Sequence, residues 1–76
     1  KIIFSDHALI KISQRRLLKN RIIETIENPD LVKPSHNLRE EDIGILGRIG
    51  LSVVIIREQE SIHVITAHWV AKVQYY

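Results

Sequence analysis

Residues that can hold an anion are concentrated near the start of this chain. Lys11, Arg15 and Lys19 follow one another at intervals of four residues, so they lie on one side of any helix that spans them. His7 precedes them at the expected beginning of that helix, where unpaired backbone amides and the helix dipole favour negative charge. These side chains predict a phosphate-binding surface with a proton-transferring group beside it, although a solvated helix face would show the same spacing.

The charge distribution favours an anionic partner. Residues 1–23 contain six Lys or Arg residues and one acid, Asp6, and therefore carry a net charge of +5. The formal charge of the whole 76-residue chain is only +2, so the remainder is net acidic. A small chain with its cations gathered in one segment is expected to bind a polyanion.

A second set of candidates lies near the end of the chain, on a strand expected from Ser61 to Val70. Because side chains alternate across a strand, Thr66 and His68 are predicted to share one face. Arg48 and Arg57 are expected on the two preceding strands. Such a cationic face has the groups needed to cut RNA, since arginines neutralise phosphate and a histidine moves the proton of the 2′-hydroxyl.

The sequence predicts no metal site and no cofactor. It has no cysteine, no cluster of His, Asp and Glu with zinc-ligand spacing, and no Gly-rich phosphate loop. His63 and His68 are five residues apart on one expected strand, so they are predicted to point to opposite faces. Trp69 is interpreted as a packing residue.

Two helices are predicted in the first half. Ser5 and Asp6 are suitable N-cap residues for a helix that ends near Arg16, after the β-prone segment 2–4. Asn20 is expected to cap a second helix, which ends before Pro29 because proline lacks an amide donor and disfavours helix in the preceding residue. The inward-facing residues of the second helix are expected to be Ile22, Ile23 and Ile26.

Four strands are predicted in the second half, which gives the element order β-α-α-β-β-β-β. They are expected at Leu31–Asn37, Ile43–Ile49, Leu51–Arg57 and Ser61–Val70, with turns at Arg39–Asp42 and Glu58–Glu60. Two helices can cover only one face of such a sheet. We therefore expect a single α+β domain, 1–76, with a short N-terminal strand and two helices packed on one face of a four-stranded, mainly antiparallel sheet.

No apolar run approaches the ~20 residues of a membrane span, and no secretory leader pattern is visible. The chain is therefore expected to be cytoplasmic, without a membrane partner.

The opening residues resemble those of a small bacterial and archaeal domain family of unknown function. That family begins His-Ala-x-x-Arg-(apolar)-x-x-Arg-x-(apolar), and this chain has His7-Ala8-x-x-Lys11-Ile12-x-x-Arg15-x-Leu17. The resemblance continues through Gly47-Arg48, an apolar strand, and a last strand that contains Val64-Ile65-Thr66. Residues 62–67 also resemble the Ile-Ile-Ser-Ala-Arg strand of BrnT toxins, with His68 in place of the arginine.

The resemblance implies a RelE-like fold of the RelE/ParE/BrnT toxin group and a small endoribonuclease toxin paired with an antitoxin. By position it implies roles for His7, Arg15, Arg48 and Thr66. Lys11 replaces the first motif arginine, which keeps the charge but loses bidentate phosphate geometry. Toxins of the ParE type do not cut RNA, so the fold leaves the activity open.

Two functional hypotheses follow, and the sequence does not decide whether the protein is an enzyme. In the first, the chain is a toxin-like RNA-binding domain and a metal-independent endoribonuclease of a toxin–antitoxin pair. Its predicted catalytic residues are His7, Arg48, Thr66 and His68, and its predicted RNA- and phosphate-binding residues are Lys11, Arg15, Lys19 and Arg57. In the second, it is a non-enzymatic protein-interaction module, with a homodimer as one form.

Overall fold

Seven elements follow one another in the predicted order in a computed structural model that describes residues 1–71. They are β1 (Ile2–Phe4), α1 (Asp6–Gln14), α2 (Lys19–Glu27), β2 (Leu31–Pro34), β3 (Glu40–Leu46), β4 (Ile49–Arg57) and β5 (Ile62–Val70). The α+β class is therefore confirmed.

The sheet has five strands in the order β1-β5-β4-β3-β2. The prediction of a four-stranded sheet is wrong, because β1 joins its edge as a fifth strand. β1 runs parallel to β5, with Ile2 opposite Ile62 and Phe4 opposite Val64, whereas the other neighbouring strands are antiparallel. This pairing joins the first and last strands, a long-range contact that local sequence patterns do not reveal.

The first helix begins where the sequence predicted and ends slightly earlier. The Ser5 hydroxyl accepts a hydrogen bond from the Ala8 amide at 3.0 Å, which satisfies one of the unpaired amides of the first turn. The helix ends at Gln14, and Arg16 adopts a positive φ of 55°. The chain then turns so that Leu17 is buried at the corner between the helices.

The second helix begins one residue before the predicted cap. Leu18 occupies the N-cap position without a side-chain hydrogen bond, so the prediction that Asn20 caps this helix is wrong. Ile22 and Ile26 are buried as expected, and Ile23 is half-buried. The helix ends at Glu27, two residues before Pro29.

Both helices pack on one face of the sheet, as predicted. The hydrophobic core comprises Ala8, Ile12, Leu17, Ile22, Ile26, Leu51, Val53, Ile55, Val64 and Ala67. Alternate residues of β4 therefore point to the helices, and Ser52, Val54 and Ile56 point to the opposite face. Within residues 1–71 no helix packs on that opposite face, which we call the uncovered face.

The predicted turn at Arg39–Asp42 is wrong at its acidic end, because Glu40, Glu41 and Asp42 belong to β3. The strand has the expected seven residues but lies three residues earlier than predicted, because it ends at a hairpin turn at Gly47 and Arg48 and pairs with β4 as far as Glu40 opposite Ile55. Gly47 has a φ of 65°, a conformation that glycine adopts without strain.

Candidate functional site

Arg15 connects the first helix to the last strand. It is the C-cap residue of α1, and its Nη1 donates to the Ala67 carbonyl at 2.7 Å and to the Thr66 hydroxyl at 3.4 Å. β1 pairs with β5 only as far as Val64, so the later part of this edge of β5 has no strand partner within residues 1–71. Arg15 therefore provides a donor to an edge carbonyl and brings a cation next to Thr66.

His7, Lys11 and Arg15 form a row along α1, at intervals of four residues. His7 and Arg15 are exposed and Lys11 is half-buried, and α1 packs against β5. None of the three forms an ion pair with any residue that the structure describes. We call these three residues the cationic row, and the charges of Lys11 and Arg15 are available to a ligand.

Lys19 does not continue this row. Because α1 ends at Gln14, Lys19 instead begins α2, and its Nζ lies 5.4 Å from the centre of the Phe4 ring. Lys19 therefore does not lie where an uninterrupted helix would place it. It forms a cation–π contact with β1 instead.

The last strand contains a bulge that changes which residues share a face. Val54 pairs with Thr66, but the next residue, Ile55, pairs with Val64, so Ile65 is an extra residue in β5. As a result His63, Thr66 and His68 all lie on the uncovered face. Thr66 and His68 share a face as predicted, whereas the expectation that His63 and His68 point to opposite faces is wrong.

Ser52 lies beside His68 on the uncovered face and is hydrogen-bonded to Glu41. The Ser52 hydroxyl donates to Glu41 Oε2, and Ser52 is the direct cross-strand partner of His68. Ser52 is fully buried, while Glu41 and His68 are half-buried on either side of it. The sequence interpretation missed Glu41 because it placed the acids in a turn. The two-residue turn at Gly47-Arg48 was the signal that could have shown the true position of β3.

Arg57 lies on the face of the sheet that the helices cover, and its guanidinium contacts the side chains of Glu40 and Asp42. Its Nε is 3.2 Å from each carboxylate oxygen of Glu40, and its Nη2 is 3.1 Å from Glu40 Oε2 and 3.5 Å from Asp42 Oδ2. The structure therefore does not bring Arg57 together with Thr66 and His68. Its predicted phosphate-binding role remains a prediction without a supporting contact.

Asp42 is fully buried beneath this ion pair. Within residues 1–71 neither of its carboxylate oxygens has a hydrogen-bond donor at suitable geometry. Burial, together with the nearby Glu40 carboxylate, raises the pKa of Asp42 to about 7. The neighbouring Asp42 and Arg57 side chains lower the pKa of Glu40. The opposite shifts of these two pKa values indicate that the proton shared by the two carboxyls resides on Asp42.

Arg48 lies at the tip of the β3–β4 hairpin rather than on a strand, and it is exposed. Arg57 is at the other end of β4, nine residues long, so the two arginines are separated by roughly 27 Å along the strand. They cannot hold the same phosphate. Gly50, near Arg48, pairs with Val70, which places the hairpin tip at the end of the sheet where β5 finishes.

No group of three or more side chains within residues 1–71 is arranged to hold a metal ion. No helix in this part of the chain is long and apolar enough to cross a membrane.

Comparison with known proteins gave no relative. No protein-family model, no curated protein and no solved structure matched the chain.

Proposed function

We propose that this chain is a toxin-like RNA-binding domain that holds the RNA backbone on the cationic row of α1 and the adjacent edge of β5. The observation that carries the proposal is the contact of Arg15 with Thr66 and the Ala67 carbonyl. This contact joins the basic first helix to the last strand, the two segments whose residues were predicted to bind and cut RNA.

Electrostatics supports an RNA ligand. Lys11 and Arg15 form no ion pair with the described residues, whereas Arg57 forms an ion pair with Glu40. Cations without an acidic protein partner can exchange their counterions for phosphates, which is the main source of affinity for nucleic-acid backbones. The α1 side of the molecule therefore suits a polyanion better than the β3 side does.

The finer form of the proposal is a RelE-like endoribonuclease toxin with an antitoxin partner. It is supported by the motif that begins at His7 and by the two helices that pack on one face of a mainly antiparallel sheet. In this form His7 or His68 transfers protons, Thr66 orients a group by hydrogen bonding, and Arg48 contributes to phosphate binding from the hairpin tip. Expression of the intact chain is then expected to arrest growth, and His7→Ala and Arg48→Ala are each expected to relieve that arrest.

RNA binding is tested by fluorescence anisotropy with a labelled single-stranded RNA at several salt concentrations. We expect wild-type protein to bind with a strong salt dependence. Arg15→Gln and Lys11→Gln should each weaken binding and reduce the slope of log K against log salt by about 0.7, the value for one phosphate contact on a single strand. Arg39→Gln, which removes an exposed cation from the β2–β3 loop, is the matched control and should change neither quantity.

Two results would contradict the proposal. One is the absence of measurable RNA binding by wild-type protein at 50 mM salt. The other is an equal loss of affinity in the Arg15→Gln and Arg39→Gln variants, which would show that only net charge matters.

A second candidate function is a protein-interaction module that binds by strand addition. The observation that favours it is the edge of β5 after Val64, which has no strand partner within residues 1–71. The Ile65 bulge and the Arg15–Ala67 bond both obstruct this edge, so we rank this function second.

A further inference from the structure

We propose that Trp69 stacks on an unpaired base of the bound RNA, so that the site on α1 and the edge of β5 binds single strands in preference to duplexes. This inference rests on the proposed RNA-binding function and names the form of RNA that the site recognises. It also assigns a ligand contact to a residue that the sequence interpretation placed among the packing residues.

Trp69 is a large aromatic residue that the fold leaves partly open to solvent. It is the only tryptophan of the chain, and 41% of its surface is exposed. It lies next to the last residue of β5, opposite the fully buried Leu51 of β4. Direct cross-strand partners share a face, so Trp69 lies on the face that the helices cover. An indole with this exposure offers aromatic surface to a ligand, and every nucleobase has a π-face that can pack on it.

The exposure of Trp69 follows from the length of α1, the helix that packs on β5. The Ser5 amide, just before the helix, donates to the Val64 carbonyl, and the C-cap residue Arg15 donates to the Ala67 carbonyl. The helix therefore covers β5 from Val64 to Ala67, and both of these residues are fully buried. Trp69 is two residues further along the strand, where this cover ends.

A phosphate-binding side chain lies beside Trp69 at the same strand edge. Arg15 Nη1 is 2.7 Å from the Ala67 carbonyl oxygen. Because a strand rises about 3.4 Å per residue, the backbone of Trp69 is roughly 7 Å beyond that of Ala67. One nucleotide spans such a separation, with its phosphate on the guanidinium and its base on the indole.

A second cation lies on the other side of Trp69. Val70, the next residue, pairs with Gly50, and this pairing places the hairpin tip that carries Arg48 just beyond the end of β5. Arg15 and Arg48 are both exposed, and neither forms an ion pair with a described residue. Trp69 therefore lies between two arginines whose charges are available to successive phosphates of one strand.

Stacking on Trp69 requires a base that is not already paired. In a duplex each base is stacked and paired within the helix, and extruding it costs free energy. A duplex also has the higher charge density, so the arginines and Lys11 alone would bind it at least as tightly as a single strand. A preference for single strands therefore distinguishes stacking on Trp69 from simple charge attraction.

The test uses the full chain and fluorescence anisotropy with three labelled ligands: a single-stranded RNA, the duplex of the same sequence, and a strand of the same length whose riboses lack bases. Wild-type protein is expected to bind the single strand more tightly than either of the others. Trp69→Leu should raise the Kd for the single strand by about 5- to 150-fold and leave the Kd for the base-free strand unchanged. Trp69→Phe, which keeps an aromatic face, should retain most of the affinity.

The salt dependence separates Trp69 from the cations. An indole releases no counterion, so Trp69→Leu should weaken binding with an unchanged slope of log K against log salt, unlike Arg15→Gln. Ile49→Ala is the matched control, because Ile49 is an aliphatic residue with 42% exposure at the same end of the sheet. This variant should bind the single strand as wild type does.

A second measurement needs no variant. Because the chain has one tryptophan, its intrinsic fluorescence reports on Trp69 directly. The single-stranded RNA is expected to quench this fluorescence saturably, over the concentration range in which the anisotropy changes. The base-free strand should bind without quenching it.

Three outcomes would overturn the inference. If wild-type protein binds all three ligands equally and without quenching, stacking is refuted while the proposed RNA-binding function stands. If Trp69→Leu, folded as judged by circular dichroism, loses no affinity or loses only as much as Ile49→Ala, the assignment of Trp69 is wrong. If wild-type protein binds none of the three ligands, both proposals fail together.

Discussion

The protonation of Asp42 makes a quantitative prediction about stability. In the folded chain the pKa of this residue is raised from its usual 3.8 to about 7, because the carboxyl is buried next to Glu40. At pH values between these two, the folded state holds a proton that the unfolded state has lost. The free energy of unfolding therefore decreases as pH rises, by about 1.4 kcal/mol per pH unit in the middle of this range.

The expected loss can be summed over an accessible interval. Between about pH 5 and pH 8 a single group with these two pKa values reduces the free energy of unfolding by about 2.5 kcal/mol. Most of the decrease occurs below pH 7, since above the folded-state pKa the carboxyl is ionised in both states. The pKa of Glu40 is lowered, so its titration changes the free energy of unfolding in the opposite direction, and that change occurs mostly below about pH 5.

Asp42→Asn isolates this contribution. Its amide cannot ionise and has nearly the same shape as the carboxyl, so it imitates the protonated acid. We expect the difference in free energy of unfolding between wild type and Asp42→Asn to change by about 2.5 kcal/mol across this pH range, with wild type losing stability as pH rises. Urea denaturation followed by far-ultraviolet circular dichroism at four pH values measures it.

Glu60→Gln, at an exposed position in the β4–β5 hairpin, serves as the matched control and should keep the wild-type pH dependence. Parallel curves for wild type and Asp42→Asn would refute the reasoning, because they would show that Asp42 is ionised in the folded state at pH 5.

Three further predictions concern positions that fix the fold, and each is checked by urea denaturation. Gly44→Ala should destabilise the protein by about 1–3 kcal/mol, because the new Cβ would lie 2.7 Å from Thr25 Oγ1. Adding Thr25→Ala should recover part of that loss. If the two substitutions change the free energy of unfolding additively, the proposed clash is contradicted. Ser5→Ala should cost about 1 kcal/mol through loss of the α1 cap, with Ser5→Asp retaining most of the stability. Ile22→Ala, at a fully buried position, should cost about 2–5 kcal/mol, whereas a cost below 1 kcal/mol would mean that α2 is not anchored there.

The helices were predictable from the sequence because their signals are local. Ser5 acts as a cap through a contact three residues away, and Pro29 limits α2 through its own covalent geometry. The N-cap of α2 was less predictable, since Leu18 holds this position without any side-chain hydrogen bond. The start of α2 is instead determined by the burial of Leu17 and Ile22, which depends on the sheet on which the helix packs.

The sheet was predicted less completely because its defining contacts are distant in sequence. The parallel pairing of β1 with β5 joins Ile2 to Ile62, and no periodicity in either segment specifies its partner. The Ile65 bulge is of the same kind, since an extra residue is recognisable only from the register with β4. One unpaired residue was enough to put His63 and His68 on the same face.

The sequence alone determined the α+β class, the element order and the placement of Lys11 and Arg15 on one side of α1, because each depends on residues within a few positions of one another. The prediction that Lys19 continues this side of the helix was wrong, because α1 ends before it. Tertiary structure alone decided that Arg15 contacts Thr66 and that Arg57 forms an ion pair with Glu40. It also decided that Glu41 accepts a hydrogen bond from Ser52, the cross-strand partner of His68. The physical reason is that strand register and sheet order set these neighbours, and both arise from packing of the whole chain rather than from any local segment.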